Sequence, residues 1–342
     1  MRRREATIDE WRALYHSATQ LGEMKPWLMF WDMDTIVLQF SNEDPVYFSI
    51  LGRNQQTYGI SAYEGNRGLA SFQEMAEAGN NPLVSRYVTF NQQALCAYWG
   101  NRDEVSKEND AIIKELGYEY YGTNQWLYLL SLVPGYYPYH LNQDEVQRLT
   151  RYYKKLIDAL VYYQEKQMAV SFDDGQAFWY MESSDKKSWE GLSKDLPLVF
   201  GSVPYLGLNQ NPELKRQLRN ADHSGLDIQA DMVHLAAYVT DESFDRPIMP
   251  LLFVLVDGQS GMVLKTDLLK PSSDQSLEFL DVLIDYFLES GIPLSLHLRH
   301  ESLVRLLDPL AEETGIELLR SDDLPELDHA AMMLLHQIDG LK

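Results

Sequence analysis

The stretch Pro250–Leu269, PLLFVLVDGQSGMVLKTDLL, decides how the second half of this chain folds. Leu251–Val256 is an unbroken apolar run, which is typical of a strand that is covered on both faces. Asp257-Gly258 is a pair that favours a tight reversal, and Met262–Leu268 then returns as a second strand. The sequence therefore predicts a hairpin whose first strand is internal.

Strands and helices alternate around this hairpin. Ile228–Val239 predicts a strand before it. After it, the spacing of apolar residues predicts a helix at Ser273–Leu288, a strand at Leu294–Leu298, a helix at Ser302–Thr314, a strand at Ile316–Leu319 and a helix at Leu327–Ile338. The order β-β-β-α-β-α-β-α is typical of an α/β domain with a mixed sheet, which we place at residues 201–342.

The first 200 residues predict a different kind of domain, because most of the aromatic residues fall there. Periodicity predicts helices at 8–22, 69–78, 104–116 and 142–163, and strands at 27–40, 46–51, 58–63, 94–99 and 177–181. Thr7 with Glu10 and Asn142 with Glu145 are capping boxes at two helix starts. We expect an aromatic-rich α+β domain at residues 1–200, since Ser, Gly, Pro and Asn become frequent around that boundary.

Charge argues against one class of function. The net charge is −22, and residues 226–342 carry 22 acidic and 7 basic side chains. A nucleic-acid binder normally has a basic surface, because neutralising phosphates supplies most of its affinity. We therefore expect that nucleic acid is not the partner.

The cysteine content and the apolar runs indicate a cytoplasmic protein. Cys96 is the one cysteine, so no disulfide can form within the chain. It lies in the apolar stretch Ala94–Trp99, which predicts a buried and inert thiol. Met1–Arg4 has the charge of a signal peptide, but no apolar segment follows it. No apolar run approaches the roughly 20 residues that a membrane span needs.

Several segments resemble bacterial two-domain proteins of unknown function. Trp11–Gly65, with Pro26-Trp27, looks like their N-terminal domain. Pro250, Val256-Asp257 and Leu324–Asp328 look like their C-terminal domain. The resemblance covers most of the chain and implies no particular activity.

The element order of residues 201–342 is also similar to the ribonuclease H-like fold. That resemblance implies acidic metal ligands on the first strand, first helix, fourth strand and last helix, where two Mg²⁺ ions hold the scissile phosphate. Asp231, Glu278 and Asp328 would occupy three of these positions. The strand Leu294–Leu298 holds no carboxylate and is followed by Arg299-His300-Glu301. Because one of the four acidic metal ligands is missing, we expect the ribonuclease H-like fold without the nuclease activity.

A second catalytic resemblance is weaker. Asp32 and Asp34 resemble the nucleophile and acid/base pair of haloacid dehalogenase-like phosphatases, and Asp173-Asp174 would stand for their metal-binding pair. In that family the motif ends a strand, whereas here Ile36-Val37-Leu38 continues as strand. Acids on the solvent side of a strand explain the pattern more simply.

The remaining polar motifs predict no catalytic, cofactor-binding or metal-binding residue. Asp257 is interpreted as a turn residue rather than a ligand group. His297 and His300 are three residues apart at a strand end, but no third metal ligand is evident. The sequence contains no phosphate-binding glycine loop, dinucleotide fingerprint or nucleophile elbow.

The aromatic group Trp126, Tyr128, Tyr136, Tyr137 and Tyr139 is interpreted mainly as core. Because part of it lies in a Pro-Gly loop, it is also the best candidate for an exposed contact surface. We therefore expect a cytoplasmic, non-catalytic binding or interaction module with a protein partner that the sequence does not identify. A ribonuclease H-like nucleic-acid enzyme, or an inactive relative, is the alternative, and a phosphatase is a remote third.

Overall fold

The computed structural model describes residues 3–77, 82–199, 211–235, 237–271 and 274–339. These residues form two compact units. The first lies within Met1–Ala76, Gln92–Val133 and Pro138–Val199, and the second within Glu77–Asn91, Pro134–Tyr137 and Phe200–Lys342. Each unit has one mixed sheet with helices, so the predicted combination of α and β structure is confirmed at this level.

The described part of the chain contains the following elements. The helices are α1 Ile8–Met24, α2 Gly65–Glu77, α3 Pro82–Phe90, α4 Lys107–Leu116, α5 Gln143–Glu165, α6 Pro212–Arg219, α7 Gln275–Ser290, α8 Glu301–Thr314 and α9 Pro325–Asp339. The strands are β1 Ile36–Gln39, β2 Val46–Leu51, β3 Tyr58–Glu64, β4 Ala94–Gly100, β5 Trp126–Leu132, β6 Gln176–Glu182, β7 Trp189–Asp195, β8 Asp227–His234, β9 Leu251–Asp257, β10 Val263–Leu269, β11 Ser295–Leu298 and β12 Glu317–Arg320.

The sheet of the first unit has seven strands in the order β5-β4-β3-β2-β1-β6-β7. All neighbours are antiparallel except β1 and β6, which are parallel. The apolar sides of α1 and α5 pack on one face of this sheet, where Leu14, Phe48 and Tyr153 are completely buried. Both predicted capping boxes are present, so the starts of these two helices are confirmed.

The predicted strand at 27–40 is wrong over most of its length. Pro26–Leu28 is a turn of 3₁₀ helix, and the strand β1 begins only at Ile36. The reason lies in local polar bonding, since the Asp34 carboxylate accepts a hydrogen bond from the Trp31 backbone N–H and closes a turn. Helix α3 and the strands β5 and β7 were not predicted from the sequence.

The sheet of the second unit has five strands in the order β10-β9-β8-β11-β12. The central strand β8 is antiparallel to β9 and parallel to β11, while β9–β10 is antiparallel and β11–β12 parallel. Phe253 and Val254 on β9 are completely buried, which confirms that this strand is internal. The strand predicted at Ile228–Val239 ends earlier, at His234.

Helices cover both faces of the second sheet. On one face Phe253 meets Phe279 of α7, with ring centroids 5.0 Å apart. On the other face Val254 and Val256 pack against Leu327 of α9. The Ser273 cap predicted for α7 lies outside the described residues. Within the described ranges, no helix combines the length and apolar character needed to cross a membrane.

Candidate functional site

The central strand of the second sheet carries a row of polar side chains. Asp227, Gln229 and Asp231 alternate along β8 and therefore point to the same face. The parallel neighbour β11 places Ser295 beside Asp227 and His297 beside Gln229. A central strand is normally apolar, so this polar row indicates a candidate functional site in the second unit.

Arg299, directly after β11, continues this row and meets two carboxylates. Its Nε lies 3.3 Å from Asp231 Oδ2, and its Nη2 donates a hydrogen bond of 2.5 Å to Asp328 Oδ1. Asp231 comes from the middle of the sheet and Asp328 from the first turn of α9. One guanidinium thus holds together residues from a strand and a helix that are distant in the sequence.

Burial explains why the cation is needed. The side chains of Arg299 and Asp231 are 3% and 4% exposed, and that of Asp328 is 25% exposed. A carboxylate taken out of water loses several kcal/mol of hydration, which only a close counter-charge and hydrogen bonds can offset. The Met232 backbone N–H supplies one such hydrogen bond to Asp231, at 2.8 Å.

Histidine and tyrosine rings surround the other side of Asp231. His300 Nε2 lies 3.3 Å from Asp231 Oδ1, and the His300 ring is 4.3 Å from the ring of Tyr87 on α3. Tyr87 also stacks on His234 at the end of β8, at 5.9 Å. These contacts belong entirely to the second unit.

Burial lowers the pKa of His234 to about 4. The nearby positive charge of Arg86 lowers it further, while the backbone carbonyls of Pro250 and Met249 oppose the shift. Neither ring nitrogen has a described partner at normal hydrogen-bond geometry, so we regard the two carbonyl contacts as weak. His234 is therefore neutral at pH 7.

The site lies where open α/β sheets bind ligands. His234 ends β8, and Arg299 and His300 follow the end of the parallel strand β11. Ligands of such sheets bind beyond the carboxyl ends of parallel strands. His300 is also the N-cap residue of α8, although its side chain makes no capping hydrogen bond.

The three acids proposed as nuclease ligands have different surroundings. Asp231 and Asp328 both meet Arg299, whereas Glu278 accepts a hydrogen bond from the Lys270 backbone N–H at 2.7 Å. In the part of the chain that the structure describes, no three His, Cys, Asp or Glu side chains come together to hold a metal ion. A guanidinium lies between the two acids that share the site.

The other histidine and the turn aspartate have structural partners. His297 Nε2 is 3.3 Å from the Ser295 hydroxyl, which donates to Asp227 at 2.7 Å. The Ser295 hydroxyl thus lies between the side chains of Asp227 and His297 in this row. Asp257 accepts hydrogen bonds from the Gln259 and Ser260 backbone N–H groups, which lower its pKa and close the turn.

The acids of the phosphatase-like motif lie at the wrong end of their strand. Asp32 and Asp34 precede β1, and Asp173 and Asp174 precede β6, which runs parallel to β1. All four are therefore near the amino ends of these strands, whereas the family's motif ends a strand. Burial raises the pKa of Asp34. Cys96 is completely buried in β4, and burial raises the pKa of its thiol to about 11.

The five aromatic residues singled out in the sequence divide between the two units. Trp126, Tyr128 and Tyr139 lie in the first unit, where Tyr128 is buried and its hydroxyl donates to Glu104 at 3.0 Å. Tyr136 and Tyr137 lie in the second. Tyr137 is 38% exposed, and its ring is 4.7 Å from that of Tyr238, which is 54% exposed.

Sequence reasoning missed the contribution of α3 to this site. Arg86 and Tyr87 lie in a segment rich in β-branched and aromatic residues, which gives a weak helical signal. The Pro82 that begins the helix was the available signal, because proline favours the first helical turn. His234 was also passed over, as one of several scattered histidines.

Two family models match this chain. Residues 11–180 match a domain of unknown function (DUF7309), and residues 213–335 match a second domain of unknown function (DUF6930). No curated protein matches the sequence. The two matches fit a two-domain protein of unknown function.

Proposed function

We propose that this two-domain chain is a non-catalytic binding protein of the cytoplasm, with domains at residues 1–200 and 201–342. In this proposal the second domain has a ribonuclease H-like arrangement in which an arginine takes the place of the catalytic metal ions. The single cysteine, Cys96, supports a reducing compartment.

The arrangement of the second sheet supports the ribonuclease H-like proposal. From β8 to α9 the elements follow the order β-β-β-α-β-α-β-α. The first strand β8 is central, with two antiparallel strands on one side and two parallel strands on the other. In this proposal Asp231 on the first strand and Asp328 on the last helix correspond to two of the positions that the resemblance assigns to metal ligands.

The observation that carries the proposal is the position of Arg299. The guanidinium approaches the carboxylates of Asp231 and Asp328, at 3.3 Å and 2.5 Å, from the residue that follows the strand where the resemblance implies another carboxylate. A guanidinium provides positive charge but has no vacant coordination position for a water oxygen, so it cannot activate a water molecule as Mg²⁺ does. The same ion pairs that stabilise the fold therefore work against hydrolysis.

An exposed apolar patch supports a binding role for the second unit. Tyr137, Tyr238 and Val239 are 38%, 54% and 49% exposed, and Phe90 stacks on Tyr137 at 6.3 Å. Exposed aromatic residues in contact with one another are typical of protein interaction sites. The alternative, a nucleic-acid enzyme, requires a metal site that Arg299 obstructs.

Calorimetric titration of Mg²⁺ and Mn²⁺ tests the proposal. We expect no saturable binding to the natural protein, and the same result for Asp231→Asn. We expect Mn²⁺ to raise the melting temperature of Arg299→Gln, because that variant leaves two carboxylates facing the vacated position. Arg305→Gln, which changes an exposed arginine of α8, is the matched control. Saturable binding by the natural protein that Asp231→Asn abolishes would overturn the proposal.

A further inference from the structure

Strand β10, Val263–Leu269, forms one edge of the second sheet. Its inner side pairs antiparallel with β9, and among the described residues no strand pairs with its outer side. A strand at a sheet edge presents backbone N–H and C=O groups that can pair with another chain. The outer side of β10 is therefore open to an extended segment.

The sheet face that α9 covers is incompletely covered at β10. Directly opposed residues of paired strands share a face, so the register places Thr266 of β10 beside Val254 of β9. Val254 is completely buried and packs with Leu327 of α9. Thr266, by contrast, is exposed, and Leu268 on the same face is 57% exposed. An apolar side chain of the edge strand is thus left in solvent.

The two charged residues of β10 have opposite signs, and in the described ranges neither forms an ion pair. Lys265 and Asp267 lie two residues apart on the other face of the strand. Asp267 is exposed, and its carboxylate accepts a hydrogen bond from the Leu268 backbone N–H at 2.9 Å. Charges on an edge strand usually oppose pairing. Opposite charges that face each other across a strand pair instead favour it, whereas like charges do not.

The sequence of β10 is complementary to itself in one antiparallel register. A two-fold axis at Thr266 places Lys265 of one copy opposite Asp267 of the other, and the same pair recurs on the other side of the axis. An axis at Lys265 or at Asp267 would place two like charges opposite each other. An axis between two residues would set outward-facing backbone groups against inward-facing ones. The charges therefore select the axis at Thr266.

We infer that β10 is a self-association surface, through which two copies of this chain join their second sheets antiparallel around Thr266. The strand of the second copy then covers the exposed Leu268 and supplies partners to both charges. The register of β10 against β9 shifts between Val263 and Lys265, so the regular part of the new ladder is short. Because such an interface is small, we expect a dissociation constant in the micromolar range.

This inference goes beyond the proposed function and does not rest on it. It concerns the edge of the second sheet, whereas the metal titration concerns Asp231 and Arg299. A monomer can lack metal binding, and a protein that binds Mn²⁺ can still dimerise. The two proposals therefore fail separately.

Sedimentation of the full chain at about 1–500 µM tests the inference, because this range spans the expected dissociation constant. We expect a reversible equilibrium between monomer and dimer. Asp267→Lys leaves only lysines across the axis, and Lys265→Asp leaves only carboxylates, so each is expected to weaken the dimer by about tenfold or more. Asp195→Lys is the matched control, since it makes the same change of charge at an exposed residue of the edge strand β7.

Mixing the two single variants separates strand pairing from damage to the fold. The mixed pair again has lysine opposite aspartate on both sides of the axis. We therefore expect Asp267→Lys and Lys265→Asp to form a heterodimer of about natural affinity, although each alone dimerises weakly. The double variant Lys265→Asp with Asp267→Lys is expected to dimerise like the natural protein.

A dimer that both single variants lose, that their mixture regains and that Asp195→Lys keeps would support the inference. A natural protein that stays monomeric over the whole range would overturn it. A dimer that persists in Asp267→Lys would also overturn it, because another surface would then join the copies. Single variants that fail to pair when mixed would count equally against it.

Discussion

Arg299 and Asp231 form an ion pair in which both side chains are more than nine-tenths buried, with Nε 3.3 Å from Oδ2. Asp231 lies within β8, and Arg299 directly follows the parallel strand β11. The nearby Asp328 completes the group. The pair therefore links the stability of the second unit to the question of whether it can catalyse a reaction.

Replacing Arg299 by leucine is expected to destabilise the second unit by about 3–5 kcal/mol, because Asp231 would remain as an uncompensated buried charge. Urea denaturation measures this free energy of unfolding. Arg305→Leu is the control, since its pair with Glu301 is on the surface and contributes about 0.5 kcal/mol. A loss below about 1 kcal/mol for Arg299→Leu would contradict the assignment.

The double variant Asp231→Asn with Arg299→Leu distinguishes pairing from packing. Removing both charges eliminates the isolated carboxylate, so we expect the double variant to be more stable than Arg299→Leu alone by about 1–3 kcal/mol. Additive losses in the two single variants would show that the residues do not interact.

The stability of the chain is expected to depend on His234 between pH 4 and pH 6.5. The folded state keeps this histidine neutral down to about pH 4, whereas an unfolded histidine takes up a proton near pH 6.5. The unfolded state therefore binds more protons in this range, and stability falls as the pH falls. The full contribution is about 3 kcal/mol.

The corresponding measurement compares the natural protein with His234→Phe by denaturation at several pH values. Phenylalanine keeps a ring against Tyr87 but cannot bind a proton. We expect the difference in unfolding free energy between the two proteins to change by about 3 kcal/mol from pH 6.5 to pH 4. A constant difference across this range would contradict the lowered pKa.

Truncation of Phe253 is expected to be among the most costly changes in the second unit. Its side chain is completely buried and packs edge-on against Phe279. Phe253→Ala removes this contact and leaves a cavity, at a cost of about 3–5 kcal/mol. Leu268→Ala on β10 is the control, because Leu268 is 57% exposed and its loss should change stability by less than about 0.5 kcal/mol.

The cap of α5 gives a prediction for the first unit. The Asn142 side chain accepts a hydrogen bond from the Glu145 backbone N–H, and the Glu145 carboxylate accepts one from the Asn142 backbone N–H. Asn142→Ala is expected to cost about 1 kcal/mol in thermal or urea unfolding. Lys154→Ala, an exposed change within the same helix, should stay within about 0.5 kcal/mol of the natural protein.

Local signals predicted the elements that depend on local bonding. The capping boxes at Thr7 and Asn142 marked α1 and α5 to within two residues, and the apolar run Leu251–Val256 marked the internal strand β9. These signals act between residues that are neighbours in the chain, so a single sequence contains them. The mixed sheet of the second unit followed from the alternation of strands and helices.

The candidate site depended on contacts that local patterns do not contain. Asp231, Arg299 and Asp328 come from three separate elements, and Tyr87 comes from a helix near residue 90. The sequence pointed to Asp231 and Asp328 only through a resemblance. It predicted no role for Arg299, which was noted only as following a strand that lacks the expected carboxylate. Helix α3 was missed because its residues have weak helical propensity and its stability comes from packing.

The most direct test of the central claim is hydrolysis of an RNA–DNA hybrid and of single-stranded RNA in the presence of Mg²⁺ or Mn²⁺. Purified natural protein and Asp231→Asn are compared at the same concentration. The account predicts no cleavage by either protein above the rate in buffer, because Arg299 lies between the acids that would bind the metal. Metal-dependent cleavage by the natural protein that disappears in Asp231→Asn would contradict it.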